Sequence, residues 1–294
     1  MYTVAFEPPI LTPEMWEFWD ENGYVMVPNA VPRENLDAAI AAIWEFLEMD
    51  PDDPGTWYGY RPRGGGFWRS PISAVGIVEF YHHQALWDIR QHPRIYQIFT
   101  ELLGERRLWV TYDRVNMMPP ARADLPAWSA PSGIHWDCDT TLDPVPFQVQ
   151  AVLYLTDTAA NQGGFRCIPG FHKVFPEWRK TQPADRHPNS CDGIDQERYP
   201  SRGIPGKAGD LLIWTGLLPH GNGDNTSDKP RMAQYITMST TPPDDQELAT
   251  RRYAYKERVP IANPQGDPRG REKRQPAAEL TELGQRLIGF KPWD

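Results

Sequence analysis

Cysteine is scarce in this chain: Cys138, Cys167 and Cys191 are the only three among 294 residues. An odd number at irregular spacing indicates neither a disulfide framework nor a zinc cluster, and it suits a reducing compartment, the cytoplasm. Long apolar runs are also missing. No stretch approaches the roughly eighteen uninterrupted apolar residues of a membrane-crossing helix. No N-terminal segment joins basic residues to an apolar run. Neither secretion nor membrane insertion is expected. Positive charge is in deficit too, with a net charge of −9. Nucleic-acid backbones are met by clustered Lys and Arg, so a nucleic-acid partner is not expected. The basic stretches at Arg251, Arg252, Lys256 and Arg258, and at Arg269, Arg271, Lys273 and Arg274, alternate with acids and prolines. They read as solvated surface.

What is present is punctuation. Short apolar runs are broken by 31 prolines and 23 glycines, and aromatic residues make up 12% of the chain. This pattern predicts a mainly β fold with flanking helices, built on a jelly-roll or barrel. No repeat or long linker appears, so residues 1–294 are expected to form one domain. Within it, 1–107 reads as a mainly helical part packed on the barrel, 108–241 as the jelly-roll core, and 242–294 as an extension with a short helix. Thr12 caps a helix that Pro13 opens. A second helix starts after Pro32 with Leu36, Ile40, Ile43, Trp44 and Leu47 on one face, and a third covers about Ile95 to Leu103.

The chemistry is concentrated in His135-Trp136-Asp137, answered downstream by His220. Residues two apart on a strand project to one face, so His135 and Asp137 can meet one ion. His220 follows the buried strand Leu211–Thr215 and is flanked by turn residues. Two imidazoles and a carboxylate on one side of an octahedron leave the opposite positions open, which is the pattern of non-haem Fe(II) oxygenases. Arg231 opens the next apolar strand, Met232–Met238. If that strand forms a hairpin with Leu211–Thr215, Arg231 lies close to His220, where its guanidinium can grip a carboxylate.

Taken together, His135-Trp136-Asp137, Asn161-Gln162-Gly163-Gly164, Ile168-Pro169-Gly170-Phe171-His172 and Gly209-Asp210…His220…Arg231 resemble the phytanoyl-CoA dioxygenase family. The resemblance extends to Phe18…Val27, to His92…Gly104 and to the tail from Leu280 to Trp293. It implies a double-stranded β-helix of the cupin type and dependence on Fe(2+), 2-oxoglutarate and O2, with ascorbate as the reductant in vitro. It also implies that His135, Asp137 and His220 bind the metal and that Arg231 clamps the C5 carboxylate of 2-oxoglutarate. Many related oxygenases carry a serine two residues past that arginine; this chain has Ala233. A second carboxylate contact is therefore sought at Arg114 and Asn116, on the run Trp109–Met117, or at Gln148 and Gln150. Each of these four also reads as plain polar lining of a barrel wall.

The expected activity is hydroxylation of an unactivated C–H bond in a small-molecule substrate, with release of succinate and CO2, by a monomer or homodimer. Two other readings use the same residues: a cupin-type metal enzyme without 2-oxoglutarate, or a non-catalytic small-molecule-binding barrel. The aromatic, glycine-rich segment Gly55–Trp68 lacks the setting of a phosphate loop. It and the polar run Arg179–Gly206 are candidate covers for the substrate. His82, His83 and His172 read as structural, and Cys138 as pointing away from the metal.

Overall fold

A computed structural model describes residues 8–62, 70–128, 133–261 and 266–293. The N-terminal part is helical, with α1 (Pro13–Asn22), α2 (Arg33–Leu47), α3 (Gln84–Arg90) and α4 (Pro93–Leu103) interrupted by β1 (Tyr24–Val27) and β2 (Ile77–Val78). Thr12 accepts from Met15 N and caps α1 as expected. The buried face of α2 is Leu36, Ala39, Ala42, Ile43, Phe46 and Leu47. Ile40 and Trp44, expected on that face, are only partly buried at its edge.

The strands that follow are β3 (Trp109–Val110), β4 (Val115–Met118), β5 (Val149–Tyr154), β6 (Phe165–Cys167), β7 (Arg202–Gly203), β8 (Leu211–Thr215), β9 (His220–Asn222), β10 (Arg231–Ile236) and β11 (Met238–Ser239). Helix α5 (Phe171–Lys180) interrupts them, and α6 (Asp245–Glu257) and α7 (Glu282–Ile288) follow. One antiparallel sheet has the order β1-β8-β5-β10-β4-β2; a smaller one has β7-β6-β9, and β3 pairs with β11. Two sheets enclosing one interior make the jelly-roll expected from the sequence.

Strand alternation sorts the side chains of the large sheet into two layers. Val149, Ala151, Leu153, Leu211 and Ile213 face outward and join the core formed with the helices. Val152, Tyr154, Leu212, Trp214 and Ala233 face inward and meet Phe165 and Cys167 of the small sheet. The helices therefore brace the barrel from one side.

Two expectations are corrected here. The run Trp109–Met117 is not one strand: residues 111–114 separate β3 from β4. The strands β8 and β10 do not form a hairpin, because β5 lies between them and pairs with both. Arg231 reaches the interior by another route. The turn from β9 to β10 is stitched by buried Asn225, whose Nδ2 donates to Met118 O (2.9 Å) and Lys229 O (2.8 Å).

The basic stretches are not free surface. Arg251 Nη2 donates to Val110 O at 2.6 Å and Leu287 O at 3.0 Å, tying α6 to β3 and α7. Arg269 Nη1 and Arg271 Nη2 reach Glu48 at 3.2 and 2.5 Å. The C-terminal extension is thus fastened to the N-terminal helices. In the described part of Gly55–Trp68, Trp57 is buried against Trp44, and Tyr58 donates to Pro120 O. The rest of that segment, residues 63–68, falls outside the described residues.

His82 lies in the same junction, its Nε2 2.9 Å from Val259 O and its Nδ1 buried without a hydrogen-bond partner. Burial pushes its pKa down to about 3, against the pull of the Val259 carbonyl. Adjacent Glu272 accepts from Tyr81 N and His82 N, yet burial raises its carboxyl to about 8. The signs are opposite. The folded state keeps His82 neutral, so its share of stability is lost as pH falls below the ordinary imidazole value; that of Glu272 is lost as pH rises from its ordinary value towards 8. In urea titrations, the stability difference between the native chain and His82→Phe should shrink from pH 7 to pH 5, by at most about 1.4 kcal/mol per pH unit. A constant difference would remove His82 from the pH response.

Candidate metal centre and its cavity

His135 and His220 are joined through their backbones. His135 N donates to His220 O at 2.9 Å and His220 N returns the bond to His135 O at 3.0 Å. His220 is also held in the small sheet opposite Cys167. His135 stands on isolated bridges rather than in a strand, and bends follow it. Asp137 nonetheless returns to the same space. Between them, Trp136 is fully buried on the other side against Phe175 and Trp178, and donates to Leu217 O.

The segment Arg179–Gly206, read as a possible cover, instead clamps this stretch from outside. Trp136 N donates to Asn189 O (3.1 Å), and Asn189 Nδ2 donates to Trp136 O and Cys138 O. Arg186 Nη2 donates to Thr140 O. Cys138 faces away from the cavity, half-buried, with its thiol near Gly216 O.

One ligand atom from each of His135, Asp137 and His220 lies within 4.8 Å of the others, a spacing that can hold a metal ion. The tautomers follow from the backbone. His135 Nδ1 is 2.8 Å from Gly133 O and His220 Nδ1 is 3.0 Å from Leu218 O. A carbonyl only accepts, so each Nδ1 carries the proton and each Nε2 turns its lone pair inward. Those Nε2 atoms face the Asp137 oxygens at 3.4 and 3.3 Å. Acceptor against acceptor is repulsive, so this geometry calls for a cation in the middle, whether an extra proton or a metal. In keeping with that, bonds from the His135 and His220 rings hold the Asp137 carboxyl far below the usual carboxylate range, and Asp137 raises His135.

Gln150 Nε2 donates to Asp137 Oδ2 at 2.8 Å and so orients the carboxylate. Phe165 and Trp214 bracket the His220 ring, with centroids 5.9 and 5.0 Å from it. The three side chains open on a cavity of about 190 Å³. Its lining is mixed, polar at Asp113, Arg114, Asn222 and Tyr235 and apolar at Val75, Ile77, Phe165 and Trp214.

The other predicted residues separate. Arg114 lines the cavity and is paired with Asp113 and with buried Glu79. Asn116 stands behind that wall, its Nδ2 donating to Val75 O and Tyr235 Oη. Gln148 packs on Gly216, outside the cavity. His172 contacts Asp20 O, and His83 caps α3. Arg231 is fully buried, and its Nε, Nη1 and Nη2 all lack a hydrogen-bond partner among the described residues. It shares the inner face of β10 with Ala233 and Tyr235, beyond the cavity lining. A buried guanidinium without an acceptor costs several kcal/mol unless an anion meets it. Tyr235 and Asn222 were missed by sequence reading, although each lies at an even spacing from a residue that was found.

The sequence matches the phytanoyl-CoA dioxygenase (PhyH) family over residues 19–233. The chain belongs to that family. It is an oxygenase of the iron- and 2-oxoglutarate-dependent class. Ava biosynthesis cluster protein O of Aspergillus versicolor is 25% identical over 264 residues, covering 81% of each chain. The 1-deoxypentalenic acid 11-beta-hydroxylase of Streptomyces exfoliatus is 24% identical over 220 residues, 72% of this chain and 75% of that one. The fold matches the non-heme alpha-ketoglutarate-dependent carbocyclase SnoK from nogalamycin biosynthesis with a TM-score of 0.53 and 24% identity, over 78% of this chain and 83% of that one.

Because Asn189 ties the metal-site segment to its brace, Asn189→Ala should loosen residues 135–140 selectively. Amide exchange there should accelerate by at least tenfold, since each lost bond to a buried carbonyl is worth on the order of 1 kcal/mol or more. Unchanged protection would show that the backbone bonds alone suffice.

Proposed function

We propose that this oxygenase hydroxylates an unactivated C–H bond of a small-molecule metabolite, with His135, Asp137 and His220 as the Fe(II) ligands and Arg231 as the clamp on the C5 carboxylate of 2-oxoglutarate. The observation that carries the reading is the inward convergence of two Nε2 lone pairs and one carboxylate, in the same barrel as an unneutralised guanidinium. The residues fit the group. Imidazole and carboxylate suit a ferrous ion, and the Arg231 nitrogens lack the anion that a keto-diacid would bring.

When bound, the metal and 2-oxoglutarate would supply the activation of dioxygen, the oxidant, with one oxygen atom ending in succinate as CO2 is lost and the other in the hydroxylated substrate. The chain supplies the geometry. Gln150 keeps the Asp137 carboxylate turned to the metal, and the two backbone carbonyls fix both imidazole tautomers. Phe165 and Trp214 exclude water beside His220 and present an apolar wall. Arg114 and Asp113 give the lining charge of both signs, which suits an oxygenated substrate with an apolar or ring-bearing body. The biosynthetic relatives support a substrate from specialised metabolism.

Two substitutions test the reading. Asp137→Ala should lose Fe(II) binding and succinate formation while keeping the fold, as followed by metal content and circular dichroism. Undiminished succinate formation would take Asp137 out of the site. Arg231→Ala should raise the 2-oxoglutarate requirement by one to two orders of magnitude, because a charge-assisted bidentate pair contributes roughly 1.5–3 kcal/mol. An unchanged requirement would show that another residue holds the cosubstrate.

A further inference from the structure

Tyr235 lines the cavity from the inner face of β10, and its hydroxyl is held on two sides. Asn116 Nδ2 donates to Tyr235 Oη at 3.4 Å and Asn222 Nδ2 donates to it at 3.2 Å. The orientation of the Asn116 amide is fixed independently, because the same Nδ2 donates to Val75 O at 2.9 Å and a carbonyl can only accept. A phenol oxygen that accepts two amide N–H groups has only its own proton left to give. No described residue accepts that proton.

Position says what receives it. Tyr235 pairs with Val152, two residues along β5 from Gln150, whose amide holds Asp137. Two residues of strand rise about 6.7 Å. The backbone of Tyr235 therefore stands one step along the barrel from Gln150 on the side of Arg231, which lies two further steps along β10, and the Tyr235 hydroxyl is held there by Asn116, opposite Ala233. That step is comparable with the length of a five-carbon keto-diacid from its chelating end to its far carboxylate. Ala233, between Tyr235 and Arg231 on the same face, offers only a methyl group to narrow the passage.

We propose that Tyr235 donates its phenolic proton to the distal carboxylate of 2-oxoglutarate, beside Arg231, and that Asn116 and Asn222 preset this donor. The inference rests on the function proposed above and names the second carboxylate contact that Ala233 cannot make. A neutral donor next to a guanidinium suits a carboxylate with two oxygens, since each oxygen then receives its own hydrogen bond.

The test is calorimetric titration of the Mn(II)-loaded protein with 2-oxoglutarate and with pyruvate, which shares the keto-acid chelate but lacks the far carboxylate. Tyr235→Phe should weaken 2-oxoglutarate binding on the order of ten- to a hundredfold. It should leave pyruvate binding and the thermal midpoint of the metal-loaded protein unchanged. Unaltered 2-oxoglutarate affinity, or an equal loss for pyruvate, would overturn the assignment of Tyr235. Failure of the unsubstituted Mn(II)-loaded protein to bind 2-oxoglutarate would overturn the proposed function instead.

Discussion

The reciprocal backbone bonds between His135 and His220 are the constraint on which the site depends. They bring together two residues 85 positions apart in sequence by main-chain geometry. The carbonyls of Gly133 and Leu218 then take the Nδ1 protons, and both rings turn the same nitrogen towards Asp137. Everything chemical about the site follows from that orientation. Had either carbonyl been replaced by a donor, the ring would present N–H where a metal needs a lone pair.

Around this frame the molecule divides its labour. The large sheet turns one layer towards the helices and the other towards the cavity, so the same strands carry a hydrophobic core and a polar interior. The polar interior is strongly organised at the metal level, where Gln150 and two imidazoles meet one carboxylate. Deeper in, the Arg231 guanidinium meets no hydrogen-bond acceptor among the described residues. Such an uncompensated charge in a barrel otherwise lined by Tyr154, Phe165 and Trp214 makes sense for a protein whose stable state includes an anion.

Legibility in the sequence followed the range of the interactions. Thr12 and Pro13 mark α1 by purely local capping chemistry, and Leu211–Thr215 reads as a buried strand because apolar residues fill both faces. Helix α6 was not anticipated, although Asp244 and Glu247 form a capping box, because Ala254 is its only fully buried residue and no apolar stripe announces it. Helix α3 begins at a histidine, whose ring accepts from Ala85 N in place of the usual small polar cap. The expected hairpin fails for a different reason: the apolar runs of β8 and β10 are near in sequence, but β5 slots between them in the sheet. The convergence of His135, Asp137 and His220 was legible through spacing and family resemblance. Tyr235 and Asn222 were not, since only the folded barrel shows which amides meet which hydroxyl.

The brace on the histidines has one more implication. Both imidazoles are pinned by main-chain contacts that owe nothing to Asp137, whereas the carboxylate is held only by its neighbours' side chains. The acidic corner is therefore the exchangeable member of the trio. A substitution at position 137 would therefore change the ligand set while leaving both rings in place. The ring orientations and the acid are thus set by separate parts of the fold, main chain for the former and the Gln150 amide for the latter.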